Sequence, residues 1–196
     1  MKIGLFGGSF DPVHLGHLLV AQAAREELGL DRLFFIPAAQ SPFKPDHPLA
    51  PMPARLRLLR LALAGKPWCE IDEQELHRGG VSYTIDTVRD YARRFPEAQI
   101  SYLIGGDHVA KLPSWRDAEE LARLAEFVVV PRPGEVERPF PQLFRGRTLK
   151  GFPLGVSSSE VRERIRAGQS VDHLLAPEVA EAIRGMGLYG KMTNDA

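Results

Sequence analysis

Cysteine is nearly absent. Cys69 stands alone among 196 residues, so no internal disulfide can form. Charge of one sign is missing too. The 25 Lys and Arg balance the 25 Asp and Glu, without the basic excess that nucleic acid or an anionic membrane selects, so neither partner is expected. No apolar run nears the roughly 20 residues of a membrane-spanning helix, because Arg or Lys interrupts each leucine-rich stretch. No signal-peptide pattern precedes Lys2-Ile3-Gly4-Leu5-Phe6, and with the lone thiol this reads as a cytoplasmic chain. Internal repeats and low-complexity tracts are lacking. So are G-x-G-x-x-G and G-x-x-x-x-G-K-[ST], which argues against a dehydrogenase or a P-loop kinase.

What is there is 44% hydrophobic, enough for a sizeable core, and the length fits one domain over residues 1–190 with a frayed tail at 191–196. A homo-oligomer is compatible with this composition. Apolar runs at 3–6, 33–36, 100–104 and 127–130 have the length and boundaries of buried strands. Between them, 15–28, 54–64, 84–95 and 118–124 carry apolar residues at helical spacing. This alternation predicts an α/β fold: a mainly parallel sheet with helices on both faces, binding ligands beyond the carboxyl ends of its strands. Proline-rich stretches at 38–53 and 132–141 read as loops, the first long enough for a binding segment or an inert excursion.

Directly after the first strand comes Gly7-Gly8-Ser9-Phe10-Asp11-Pro12-Val13-His14-Leu15-Gly16-His17. Gly7 and Gly8 let a polyphosphate approach their N–H groups, and the N-terminus of the following helix favours anions. His14 and His17 share one face of the first helical turn, and Gly16 leaves room for a base or ribose. The same residues also serve plainer ends, since Gly-Gly makes tight turns and Asp-Pro starts helices. The histidine spacing could suit zinc, but no third ligand lies nearby and no metal site is assigned.

Near the C-terminus, Ser157 and Glu160 make a capping-box pattern. That helix start also offers phosphates its N–H groups, the hydroxyls of Ser157 and Ser158, and the guanidinium of Arg162. Gly105-Gly106-Asp107 follows the 100–104 run, where Asp107 either accepts from ribose hydroxyls or caps a helix. Ser82 or Thr84 is a candidate N-cap, and Trp115 is otherwise a half-buried core residue.

Together these segments, from Lys2 to about Tyr189, resemble the H-x-G-H nucleotidyltransferase superfamily in its nicotinate-mononucleotide form. The resemblance implies a Rossmann-like fold with a small C-terminal helical region. It implies ATP as co-substrate, Mg²⁺ bound mainly through ATP phosphates, and AMP transfer to nicotinate mononucleotide in NAD biosynthesis. His14, His17 and Arg162 would stabilise the charge that builds up at the α-phosphorus. Gly7, Gly8, Ser9, Phe10, Gly16, Gly105, Asp107, Ser157 and Ser158 would hold ATP. Lys44, Tyr83, Thr84 and Trp115 would hold the mononucleotide, with Trp115 stacked on its ring. The chain departs from S-S-T-x-I-R at Ser159 and Val161. It departs more from P-P-H-K, where Ser41-Pro42-Phe43-Lys44 leaves Lys44 as the only charged member. Leu188-Tyr189 is similar to the family's closing L-Y and reads as packing. Phosphopantetheine adenylyltransferases share the S-F-D-P-x-x-x-G-H start but usually carry Thr at the position of His14. A non-catalytic nucleotide sensor would be expected to lose His17 or Arg162, and both are present.

Overall fold

A computed structural model describes residues 1–40, 49–152 and 154–190. Ser41, Phe43, Lys44 and the tail at 191–196 therefore lie outside the described residues. Six strands form one sheet: β1 (Lys2–Gly8), β2 (Arg32–Pro37), β3 (Cys69–Ile71), β4 (Gln99–Gly105), β5 (Glu126–Val130) and β6 (Gly146–Thr148). Their order is β3-β2-β1-β4-β5-β6, and every pairing is parallel. The expected sheet was mainly parallel; among the described residues it is wholly so. From β1 the chain steps outward to β3, then returns to the other side of β1 for β4. That reversal opens a crevice between the carboxyl ends of β1 and β4, where sheets of this order take ligands.

Side-chain alternation splits the core into two layers. Leu33, Phe35, Leu103 and Val128 face α1 (Leu15–Leu28), α2 (Met52–Leu63), α6 (Ser158–Arg166) and α7 (Pro177–Gly185). Ile3, Leu5, Phe34, Ile36, Tyr102 and Phe127 face α4 (Thr84–Arg94), α5 (Ala118–Leu124) and a 3-10 segment at Gly106–Ser114. Short α3 (Gln74–Arg78) bridges β3 and α4. The helices stop where local chemistry says they should: α1 ends on Gly29 in the left-handed region at φ 63°, a conformation that costs glycine nothing.

Two loop boundaries differ from expectation. Met52 and Pro53 belong to the first turn of α2, where proline's missing N–H is no loss, so the 38–53 loop ends earlier. Gly7 and Gly8 lie within β1, paired with Ile36 and Pro37, rather than beyond it. Among the described residues no helix is long and apolar enough to cross a membrane.

Candidate active site

The crevice is floored by β1. A Cβ on Gly7 would lie 2.6 Å from the Tyr102 hydroxyl, so glycine is needed there for β4 to pack alongside. A Cβ on Gly8 would meet the Phe10 ring at 3.1 Å. Phe10 itself sits at φ 46°, uncommon for a bulky residue, and is 1% exposed. Its ring packs against Phe6, Phe35 and His17 at centroid distances of 5.5, 5.4 and 5.1 Å. Phe10 therefore supports His17 from the core.

His14 is the N-cap residue of α1, and His17 lies one turn on. Their rings stack at 3.7 Å between centroids with planes 33° apart. The room at Gly16 is filled from within: a Cβ there would come within 3.0 Å of the His14 ring and 2.9 Å of Val156. The sequence reading gave that space to a base or ribose; the structure gives it to His14. The His14 N–H donates to His17 Nδ1 at 3.1 Å, which leaves the proton of a neutral His17 on Nε2 as a free donor.

Both rings resist protonation. Burial and the Arg132 guanidinium lower His14 to about 4. Burial, His14 and Arg132 hold His17 well below the ordinary imidazole range. Arg132 follows the carboxyl end of β5 and approaches Gly105 from the far side of the crevice. The sequence reading left it in a loop; its place just past a buried strand is the signal that could have found it. The result is a pair of neutral imidazoles within the field of the Arg132 guanidinium, a set of donors that suits an anion.

Behind the loop lies a buried polar clasp. Asp11 is 1% exposed and Arg162 is 6% exposed. Arg162 donates to the Asp11 carbonyl at 2.6 Å and to Ser159 Oγ at 3.2 Å, with the Asp11 carboxylate 3.8 Å away. Buried Arg55 donates to the carbonyls of Ser9 at 2.9 Å and Ala38 at 3.0 Å. Tyr189 donates to Asp11 Oδ1 at 2.6 Å, so it is more than the packing residue that sequence suggested. Ser157 accepts from the Glu160 amide at 3.2 Å, as a cap should, while Ser158 donates to the Pro12 carbonyl at 2.9 Å. The two motifs at opposite ends of the chain are thus joined. Asp11 reads in sequence as a helix starter, Tyr189 as packing and Arg55 as nothing at all, because the partner of each lies across the fold.

Tyr83, Thr84 and Trp115 also come together, lining a cleft of about 130 Å³ with Ile85, Ser114, Arg116 and Leu121. That is well below the roughly 300 Å³ of a whole-ligand site, so it suits one ring of a larger molecule. Buried Tyr102 lies between the cleft wall and β1: its hydroxyl touches Thr84 Oγ1 at 3.5 Å and faces Gly7. The cap of α4 is Tyr83 without a side-chain bond; Ser82 Oγ instead accepts from the Ala39 N–H at 3.2 Å. Asp107 is exposed, inside the 3-10 segment rather than capping it, with its carboxylate turned over Gly105. Among the described residues no group of three or more His, Cys, Asp or Glu is placed to hold a metal ion. A larger cleft, about 630 Å³, opens at the amino ends of the strands, and no predicted site residue lines it.

The sequence matches the cytidylyltransferase-like family over residues 5–164. It is 42% identical to a probable nicotinate-nucleotide adenylyltransferase of Thermus thermophilus, covering 96% of this chain and all of that one. A probable nicotinate-nucleotide adenylyltransferase of Opitutus terrae is 41% identical, with coverage of 96% and 98%. Among solved structures, Plasmodium falciparum nicotinic acid mononucleotide adenylyltransferase complexed with NaAD superposes with a TM-score of 0.78. It covers 96% of this chain and 97% of that one at 19% identity, a likeness of fold.

Proposed function

The chain belongs to the nicotinate-nucleotide adenylyltransferase family, and from that premise we propose that it transfers AMP from ATP to the 5′-phosphate of nicotinate mononucleotide. The products are nicotinate adenine dinucleotide and pyrophosphate, a step in NAD biosynthesis. The observation that carries the reading is the stacked, neutral His14–His17 pair at the head of α1, set at the β1/β4 crevice and linked through Tyr102 to the Trp115 cleft.

ATP would lie along the crevice, its triphosphate against the N–H groups of Gly8 and Ser9 and the start of α1, its ribose near Gly105 and Asp107, with Gly7 one residue deeper in β1. The pyridine ring would occupy the cleft of Tyr83, Thr84 and Trp115. An oxygen of the mononucleotide phosphate attacks the α-phosphorus, and the bond to the β-phosphate oxygen breaks. Its electron pair leaves with pyrophosphate. No general base is needed, because the attacking phosphate is already ionised at neutral pH. Catalysis then rests on positioning and on preorganised donors aimed at developing charge. His17 supplies Nε2–H, His14 the neighbouring ring, and Arg132 and Arg162 add positive field. Ser157 caps the second helix start, and Ser158 holds it against the loop. Lys44 stays assigned to the mononucleotide on the resemblance alone. With no carboxylate cluster available among the described residues, Mg²⁺ would enter with the triphosphate and offset its charge, held by phosphate oxygens and water.

The test is pyrophosphate release with ATP and Mg²⁺, comparing nicotinate mononucleotide, nicotinamide mononucleotide and 4′-phosphopantetheine. Preference for the first is expected. Release with phosphopantetheine alone would move the chain to another adenylyltransfer, and none with any acceptor would leave a nucleotide sensor. In the same assay, His17→Ala is expected to lower turnover about a hundredfold, comparable with losing one preorganised donor. Unaltered turnover would remove His17 from the chemistry.

A further inference from the structure

Nicotinate and nicotinamide mononucleotide differ by one group of nearly equal size, a carboxylate in place of an amide. Shape therefore separates them poorly, and discrimination falls to charge and hydrogen bonding. The cleft that takes the ring in the reading above has one cation in its wall. Arg116 follows Trp115 directly, and its guanidinium carbon lies 4.9 Å from the centroid of the Tyr83 ring.

The acidic residues around it are already committed elsewhere. Asp117 pairs with Arg89 at 2.8 Å, Glu120 also pairs with Arg89, and Asp86 lies 3.7 Å from the same guanidinium. Among the described residues Arg116 has no ion pair and no hydrogen bond; its one partner is the face of Tyr83. Stacking on an aromatic face fixes a guanidinium while leaving its N–H fork for a carboxylate. Trp115 and Tyr83, the two rings of the cleft, flank this cation in sequence and in space respectively.

We propose that Arg116, held over Tyr83 at the wall of the Trp115 cleft, reads the ring carboxylate and sets the preference for nicotinate over nicotinamide mononucleotide. The inference rests on the proposed function and deepens it. Arg116 acts on specificity and makes no contact with the reacting phosphates.

The experiment measures kcat and KM with both mononucleotides for the wild-type chain, Arg116→Ala and Arg116→Lys. Arg116→Ala is expected to cut the acid-over-amide ratio of kcat/KM about tenfold through KM for the acid. Arg116→Lys should keep part of the ratio, because it retains charge without the fork. Raising ionic strength should compress the wild-type ratio more than that of Arg116→Ala, since an exposed cation is screened. A ratio kept in Arg116→Ala, or equal losses with both acceptors, overturns the proposal while leaving the adenylyltransferase reading standing. Failure of the wild-type chain to use either acceptor overturns both.

Discussion

At pH 7 His14 and His17 are neutral, and this has a cost that depends on pH. An unfolded chain protonates its histidines near 6.5, whereas folded His14 resists until about 4. Between those values the unfolded state binds more protons, so stability is full above 6.5, falls as pH drops through the window, and levels off below about 4. For His14 the full loss is about 3 kcal/mol, at 1.36 kcal/mol per unit. Urea unfolding at a series of pH values should show this decline, shallower in His14→Gln. Identical slopes would mean that His14 titrates normally in the folded protein. Proton NMR should place the His14 midpoint near 4. The histidines themselves were legible in the sequence because they share a turn with the glycine loop. Arg132, which tunes them, was not. It lies 115 residues beyond His17 and meets the pair only once β5 is laid beside β4.

Elements were legible in proportion to how deeply they are buried. The four inner strands and the helices α1, α2, α4 and α5 announce themselves by period, because one whole face or both faces must be apolar. Edge strands β3 and β6 are three residues long and neither is fully buried, β3 being partly buried and β6 mostly exposed, so they carry no pattern distinguishable from loop. The join between β1 and β4 shows how sequence can name a residue and miss its reason. Gly7 was read as room for phosphate, but the space its Cβ would need is occupied by the Tyr102 hydroxyl. Gly7→Ala is expected to destabilise the protein by about 1–3 kcal/mol, as overpacking does. Tyr102→Phe removes the clashing oxygen and should restore most of that loss in the double variant, measured by urea unfolding. Additive losses would show that the Tyr102 hydroxyl is not what excludes a side chain at Gly7.

Across the whole molecule, the two motifs are held as one unit by Asp11 and the groups around it. Tyr189→Phe keeps the ring in the core and removes only the donor to a buried carboxylate, which should cost about 1–3 kcal/mol. In a chain of this size that corresponds to a fall in melting temperature of roughly 2–12 °C. KM for ATP should rise with it, since the loop that would carry the triphosphate hangs on Asp11; a lowered melting temperature with ATP kinetics unmoved would confine Tyr189 to stability. The hydroxyl that steadies Asp11 stands 178 residues downstream of it. The Arg55 and Arg162 bonds to the same loop span shorter stretches of chain, so the Tyr189 bond is the last of the three that synthesis can supply. Until Tyr189 emerges, a nascent chain holds the loop before both histidines by its arginine contacts alone, with the Asp11 carboxylate short of its hydroxyl donor.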